Sequence, residues 1–111
     1  MKDISVENSI NVLDTFSKVN DEYIIVSHKA IDIAKTIVTS FNIQPNILLT
    51  LRNSLQFEYE IGNRYYLEFE IFSNGTINSL KCNLDNILQT AVEEHDITID
   101  RVIEILKGFY G

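Results

Sequence analysis

Two hydrophobic periods divide the chain, and each predicts a different kind of element. Val6, Ile10, Leu13 and Phe16, with Val12 and Val19, recur at three- and four-residue spacings, which predicts a helix over residues 5–19. Asp21 and Glu22 interrupt the pattern, and residues 23–26 read as a short apolar connector. Ser27 suits the N-cap of a second helix over residues 27–41, because its hydroxyl can accept from an unpaired backbone N–H. Ala30, Ile33, Ala34, Ile37, Val38 and Phe41 form the cleanest amphipathic stripe in the chain. Asn42 and the step from Gln44 to Pro45 end it, since the residue before a proline disfavours helical backbone.

The period then falls to two. Leu55, Phe57, Tyr59 and Ile61 alternate with Gln56, Glu58 and Glu60. Tyr65, Leu67, Phe69 and Ile71 alternate with Tyr66, Glu68 and Glu70. With residues 47–51 before them and 77–82 after Asn74-Gly75, they predict a four-stranded antiparallel meander. Residues paired across an antiparallel ladder share a face, so the register can be tested against the pattern. A three-residue loop over 62–64 pairs Ile61 with Tyr65, Tyr59 with Leu67 and Phe57 with Phe69, whereas a two-residue turn mixes the faces. For Asn74-Gly75 a two-residue type I′ turn is expected. It pairs Phe69 with Leu80 and Glu68 with Lys81, and puts Cys82 on the apolar face.

Helical spacing returns in the last third. Leu84, Ile87, Leu88, Ala91 and Val92 predict a helix over 84–95, with Asp85 favourably placed at its start. Thr98 is a candidate cap for a final helix over 98–109 carrying Ile99, Val102, Ile103 and Leu106. The expected fold class is α+β: one domain over residues 1–111, with N- and C-terminal helices covering one face of the meander. No internal repeat or linker divides the chain.

Residues 21–81 resemble a pattern seen in small bacterial and phage proteins. It has a helix with spaced alanines (Ala30, Ala34), a proline (Pro45), a strand such as Ser54-Leu55-Gln56-Phe57-Glu58-Tyr59, and a turn such as Asn74-Gly75-Thr76-Ile77. The Gly-Gly and Trp frequent around the second strand of that group are absent; Ser54 and Tyr59 stand nearby. The resemblance implies no activity.

Charge narrows the function classes. The chain carries nine Lys and Arg against sixteen Asp and Glu, a formal net charge of −7. That balance argues against direct nucleic-acid binding, which needs clustered cations. No apolar run approaches the ~20 residues that span a bilayer. The first twenty positions contain no signal-peptide core, and the single Cys82 fits a reducing compartment, so a cytoplasmic protein is expected. Seventeen Ile and eleven Asn against three Ala point to an AT-rich genome, that of a low-GC bacterium or its phage.

Catalytic and metal chemistry finds little support. Cys82 with His28 or His95 is formally a thiol–imidazole pair, but a thiol on the apolar face is a small hydrophobe. Glu93, Glu94, His95 and Asp96 are consecutive, so on a helix they point around the axis and cannot converge on a metal. No glycine-rich phosphate loop and no nucleophile elbow occur. No enzyme, cofactor or metal is expected.

The paired carboxylates remain. Glu58 lies opposite Glu68, and Glu60 and Glu70 extend the same polar face with Tyr66 and Phe72. Aromatics interleaved with carboxylates suit an interface with an Arg- or Lys-rich partner. Asp100 and Glu104, four apart on the last helix, are further acidic candidates. The expectation is a non-enzymatic acidic protein that binds and occludes a basic surface of a partner protein, for example a nuclease or other nucleic-acid-binding protein. That is the mode of an inhibitor, an antitoxin-like or an anti-defence (anti-CRISPR-like) protein. The alternative is a homodimeric or adaptor subunit associating through residues 23–26, Leu48, Phe72, Ile77, Phe109 and Tyr110.

Overall fold

The structure, a computed structural model, describes residues 4–18 and 26–111. Of the expected connector at residues 23–26, residues 23–25 lie outside the described residues, as does Val19 of the expected first helix. Two helices come first, α1 (Ile4–Ser17) and α2 (His28–Ser40). Strands β1 (Asn46–Leu49), β2 (Leu55–Ile61), β3 (Tyr65–Ile71) and β4 (Ile77–Asn83) follow. A one-turn helix α3 (Ile87–Thr90), a short strand β5 (Val92–Glu94) and helix α4 (Ile99–Tyr110) complete the chain. The strands form one antiparallel sheet in the order β1-β2-β3-β4-β5, an α+β fold with five strands rather than four.

Both helix starts follow the expected capping chemistry. The Ser27 hydroxyl accepts from the Ala30 amide at 3.1 Å, and the Thr98 hydroxyl accepts from the Arg101 amide at 3.1 Å. Ser27 also donates to the Ser73 carbonyl at 2.8 Å, tying the start of α2 to the β3–β4 loop. At the other end of α2, the Gln44 side-chain amide donates to the carbonyls of Val38 and Phe41 at 2.9 and 2.8 Å. Two of the carbonyls left open at the helix end are satisfied in this way.

The inner face of the sheet carries Leu55, Phe57, Tyr59, Leu67, Phe69, Ile71 and Ile77, all buried. Leu13 of α1, Ala30, Ala34 and Ile37 of α2, and Val102 and Leu106 of α4 close over it in one core. The two alanines, fully buried, leave room for α2 to approach closely. Tyr59 packs edge-on against Phe69 and Tyr110, joining the sheet to the end of α4. The three longer helices therefore lie on one side, and among the described residues no helix covers the opposite face of the sheet.

The β2–β3 register is the expected one, with Ile61 opposite Tyr65, Tyr59 opposite Leu67 and Phe57 opposite Phe69. The β3–β4 register differs by one residue. Ile71 faces Ile77, Phe69 faces Ser79 and Glu68 faces Leu80. The loop has three residues, 73–75, because the Phe72 amide donates to the Thr76 carbonyl at 2.9 Å. A type I′ turn needs positive φ at both central residues. Here Gly75 alone supplies it, at φ 91°. The slip turns Ser79 and Lys81 to the inner side and Leu80 and Cys82 to the outer side, so Lys81 does not stand beside Glu68. Cys82 is nevertheless buried.

The expected first strand is shorter. β1 stops at Leu49, and Leu51 is 86% exposed in the loop. The expected helix over 84–95 is replaced by a turn, α3 and β5. The reason lies at the free edge of β4, whose backbone groups need partners. β5 pairs there, with Ser79 facing Glu94 and Lys81 facing Val92, and the Ile97 amide continues to the Ile77 carbonyl at 2.9 Å. Thr90 adds to this by accepting from the Asn83 amide at 2.8 Å. The apolar stripe has no surface to cover: Leu84, Ile87, Leu88 and Val92 are all exposed. Asp85 pairs with Arg64 at 3.3 Å instead of starting a helix.

Candidate interaction surface

Strand alternation and the observed register decide which acids stand together. On the outer face, Glu58 of β2 faces Glu68 of β3, Glu60 faces Tyr66, and Gln56 faces Glu70. Phe72, just past β3, continues the alternation and is half-buried. Glu93 of β5 joins the row through its partner Leu80. Five carboxylates thus share one face across three strands.

Hydrogen bonds hold these groups in place. The Tyr66 hydroxyl lies 2.8 Å from Glu58 Oε2 and 3.2 Å from Glu68 Oε1. Asn46 and Gln56 donate their side-chain amides to Glu58, each at 3.2 Å. Arg52 grips Glu70 with two nitrogens at 2.9 and 3.0 Å, and the buried Ser54 donates to Glu70 at 2.6 Å. Burial holds the Glu68 carboxyl above its ordinary value of 4.5; Tyr66 opposes that rise, and Glu58 and Glu70 add to it. Burial, followed by the bond to Glu58, likewise lifts the Tyr66 hydroxyl above its ordinary range. Next to Glu68 a shallow depression of about 220 Å³ is lined by Glu70, Asn78, Leu80, Glu93 and His95. His95 Nε2 lies 3.5 Å from Glu93.

Asp100 and Glu104 do not join this face. They are exposed on α4, which packs over the inner side. Between them Arg101 binds Glu94 through two nitrogens at 2.9 and 2.7 Å, and Glu94 is on the inner side of β5. The expected partner-binding residues therefore form two sets on opposite sides of the sheet: Glu58, Glu60, Tyr66, Glu68, Glu70 and Phe72 on one, Asp100 and Glu104 on the other.

Sequence reasoning missed Glu93, His95 and Leu80 as members of the outer face. The first two fall in the helix expected over 84–95, and the third is placed on the apolar face by the expected pairing with Phe69. The apolar contacts expected for self-association change too. Ile77 and Val26 are buried, whereas Leu48 is exposed. Among the described residues no three His, Cys, Asp or Glu side chains cluster as a metal site, and no helix is long and apolar enough to cross a membrane. Comparison with family models, with curated proteins and with solved structures finds no match to the chain.

Proposed function

We propose that this protein is a non-enzymatic interaction protein whose outer sheet face binds and occludes a basic surface on a partner protein. The observation that carries this reading is the face itself. Among the described residues no helix covers it, and it holds Glu58, Glu60, Glu68, Glu70 and Glu93. Among the described residues Arg52 is the only Lys or Arg ion-paired to any of them. Such a surface offers negative charge fixed by hydrogen bonds, with Tyr66, Phe72 and Leu80 for contact area. It suits the cationic groove of a nuclease or other nucleic-acid-binding protein, and the mechanism is steric and electrostatic occlusion. A bacterial or phage source and an inhibitory, antitoxin-like or anti-defence role follow from this reading together with the AT-rich residue usage.

Immobilised wild-type protein and the variant Glu58→Gln/Glu68→Gln/Glu70→Gln, exposed to a bacterial lysate, test it. The expected outcome is a basic protein retained by wild type, lost from the variant and released by salt. Identical retained sets on the two would contradict it.

Association through apolar surface is a second reading, favoured by the exposure of Leu84, Ile87, Leu88 and Val92 in one short segment. Sedimentation separates the two: a self-associated form that holds at high salt belongs to the apolar reading.

A further inference from the structure

At the end of the sheet where β2, β3 and β4 lie beside the last turn of α4 is a groove of about 480 Å³. That is within the range of about 300–1,000 Å³ typical of small-molecule sites. Ile61, Tyr65 and Phe109 give it an apolar lining, and Lys81 is the only charged residue among those that line it. Thr90, also in the lining, has its hydroxyl committed to the Asn86 carbonyl at 2.7 Å.

Two features set the groove apart from an ordinary surface gap. Gly108 lies within α4, where glycine weakens a helix, and a Cβ added there meets nothing within 4 Å. Packing therefore does not require a glycine there, and Gly108 lines the groove without a side chain to fill it. Lys81 makes no ion pair within 4 Å among the described residues. It acts on Glu94 only at longer range, and that carboxylate is already held by both nitrogens of Arg101. Glu104 lines a neighbouring depression together with Lys81, with no ion pair between them within 4 Å.

An unpaired ammonium at an apolar groove calls for a ligand with one negative charge and an apolar body. We propose that this groove binds a small amphiphilic carboxylate, its carboxylate on Lys81 and its hydrocarbon against Ile61, Tyr65 and Phe109. The net charge of −7 opposes any anion at long range, so hydrocarbon burial supplies the affinity and Lys81 the selectivity for a carboxylate.

Calorimetric titration of the full chain with decanoate and with decanol, below the decanoate micelle concentration, tests this. Decanoate should bind about fivefold more tightly than decanol, the scale of one partly exposed ion pair. Lys81→Met, which keeps an apolar stem, should remove that difference and leave decanol unchanged. Gly108→Leu, whose side chain enters open space, should weaken both ligands at least about tenfold while circular dichroism stays that of wild type. The Glu58→Gln/Glu68→Gln/Glu70→Gln variant should bind decanoate as wild type does, which separates this site from the outer face. No heat with decanoate at millimolar concentration, equal affinities for the two ligands, or unchanged binding to Gly108→Leu would overturn the proposal.

Discussion

The Tyr66 hydroxyl donates to Glu58 Oε2 at 2.8 Å while lying 3.2 Å from Glu68 Oε1. One proton therefore serves two carboxylates that face each other across β2 and β3, an arrangement that like charges alone would disfavour. Removing the hydroxyl with Tyr66→Phe leaves both carboxylates without it. The variant should lose about 1 kcal/mol at neutral pH, measured by urea unfolding, and less at acidic pH where Glu68 is protonated.

Glu68 and Glu94 should give opposite pH signatures. Burial raises the Glu68 carboxyl in the folded protein, so folding takes up a proton there. Its favourable contribution is complete below the unfolded value and is lost as pH rises through the folded value. Glu68→Gln should therefore gain in relative stability as pH rises above about 4.5. Arg101, through its hydrogen bonds, lowers the Glu94 carboxyl. That contribution is present above the unfolded value and is lost as pH falls, so Glu94→Gln should be less stable than wild type at neutral pH and converge with it in acid. Melting temperatures of the three proteins from pH 3 to pH 7 check both signs.

Two glycines make contrasting predictions. Gly75 has φ 91°, and a Cβ there would lie 2.6 Å from Lys29 Cε. Gly75→Ala should cost about 1–2 kcal/mol through backbone strain and the displaced lysine. Gly108 is helical and unobstructed, so Gly108→Ala should stabilise by up to about 1 kcal/mol. Chemical denaturation of both variants measures the contrast.

Leu88 is 95% exposed, whereas Phe57 is fully buried. Leu88→Ser should change stability by no more than about 0.5 kcal/mol, and Phe57→Ala should cost about 3–5 kcal/mol. A large loss in Leu88→Ser would restore the amphipathic helix that its spacing suggests.

How far the fold can be read from residues alone differs from segment to segment. The two N-terminal helices, α4 and the β2–β3 register follow from long, unbroken patterns with cap residues at Ser27 and Thr98. The β3–β4 register did not, because β4 inverts its polarity. Ser79, buried opposite Phe69, and Lys81 take the inner side, and Leu80 and Cys82 turn outward opposite Glu68 and Tyr66. β5 was hidden for a different reason. Leu84, Ile87, Leu88, Ala91 and Val92 have helical spacing, but the stripe finds no face to bury, and the hydrogen-bonding demand of the β4 edge prevails. The acidic pairs on β2 and β3 were legible because alternation fixes them. The separation of Asp100 and Glu104 from those pairs was not, since it depends on which side of the sheet α4 packs.

We propose that the outer sheet face, and not the acidic side of α4, meets a basic partner. The affinity of the captured partner for three proteins decides between the two surfaces: wild type, Glu58→Gln/Glu68→Gln/Glu70→Gln, and Asp100→Asn/Glu104→Gln, each at low and high salt. The sheet variant should bind at least about tenfold more weakly and with a flatter salt dependence, and the helix variant within about twofold of wild type. A loss confined to the helix variant, or wild-type affinity in both, would contradict the claim.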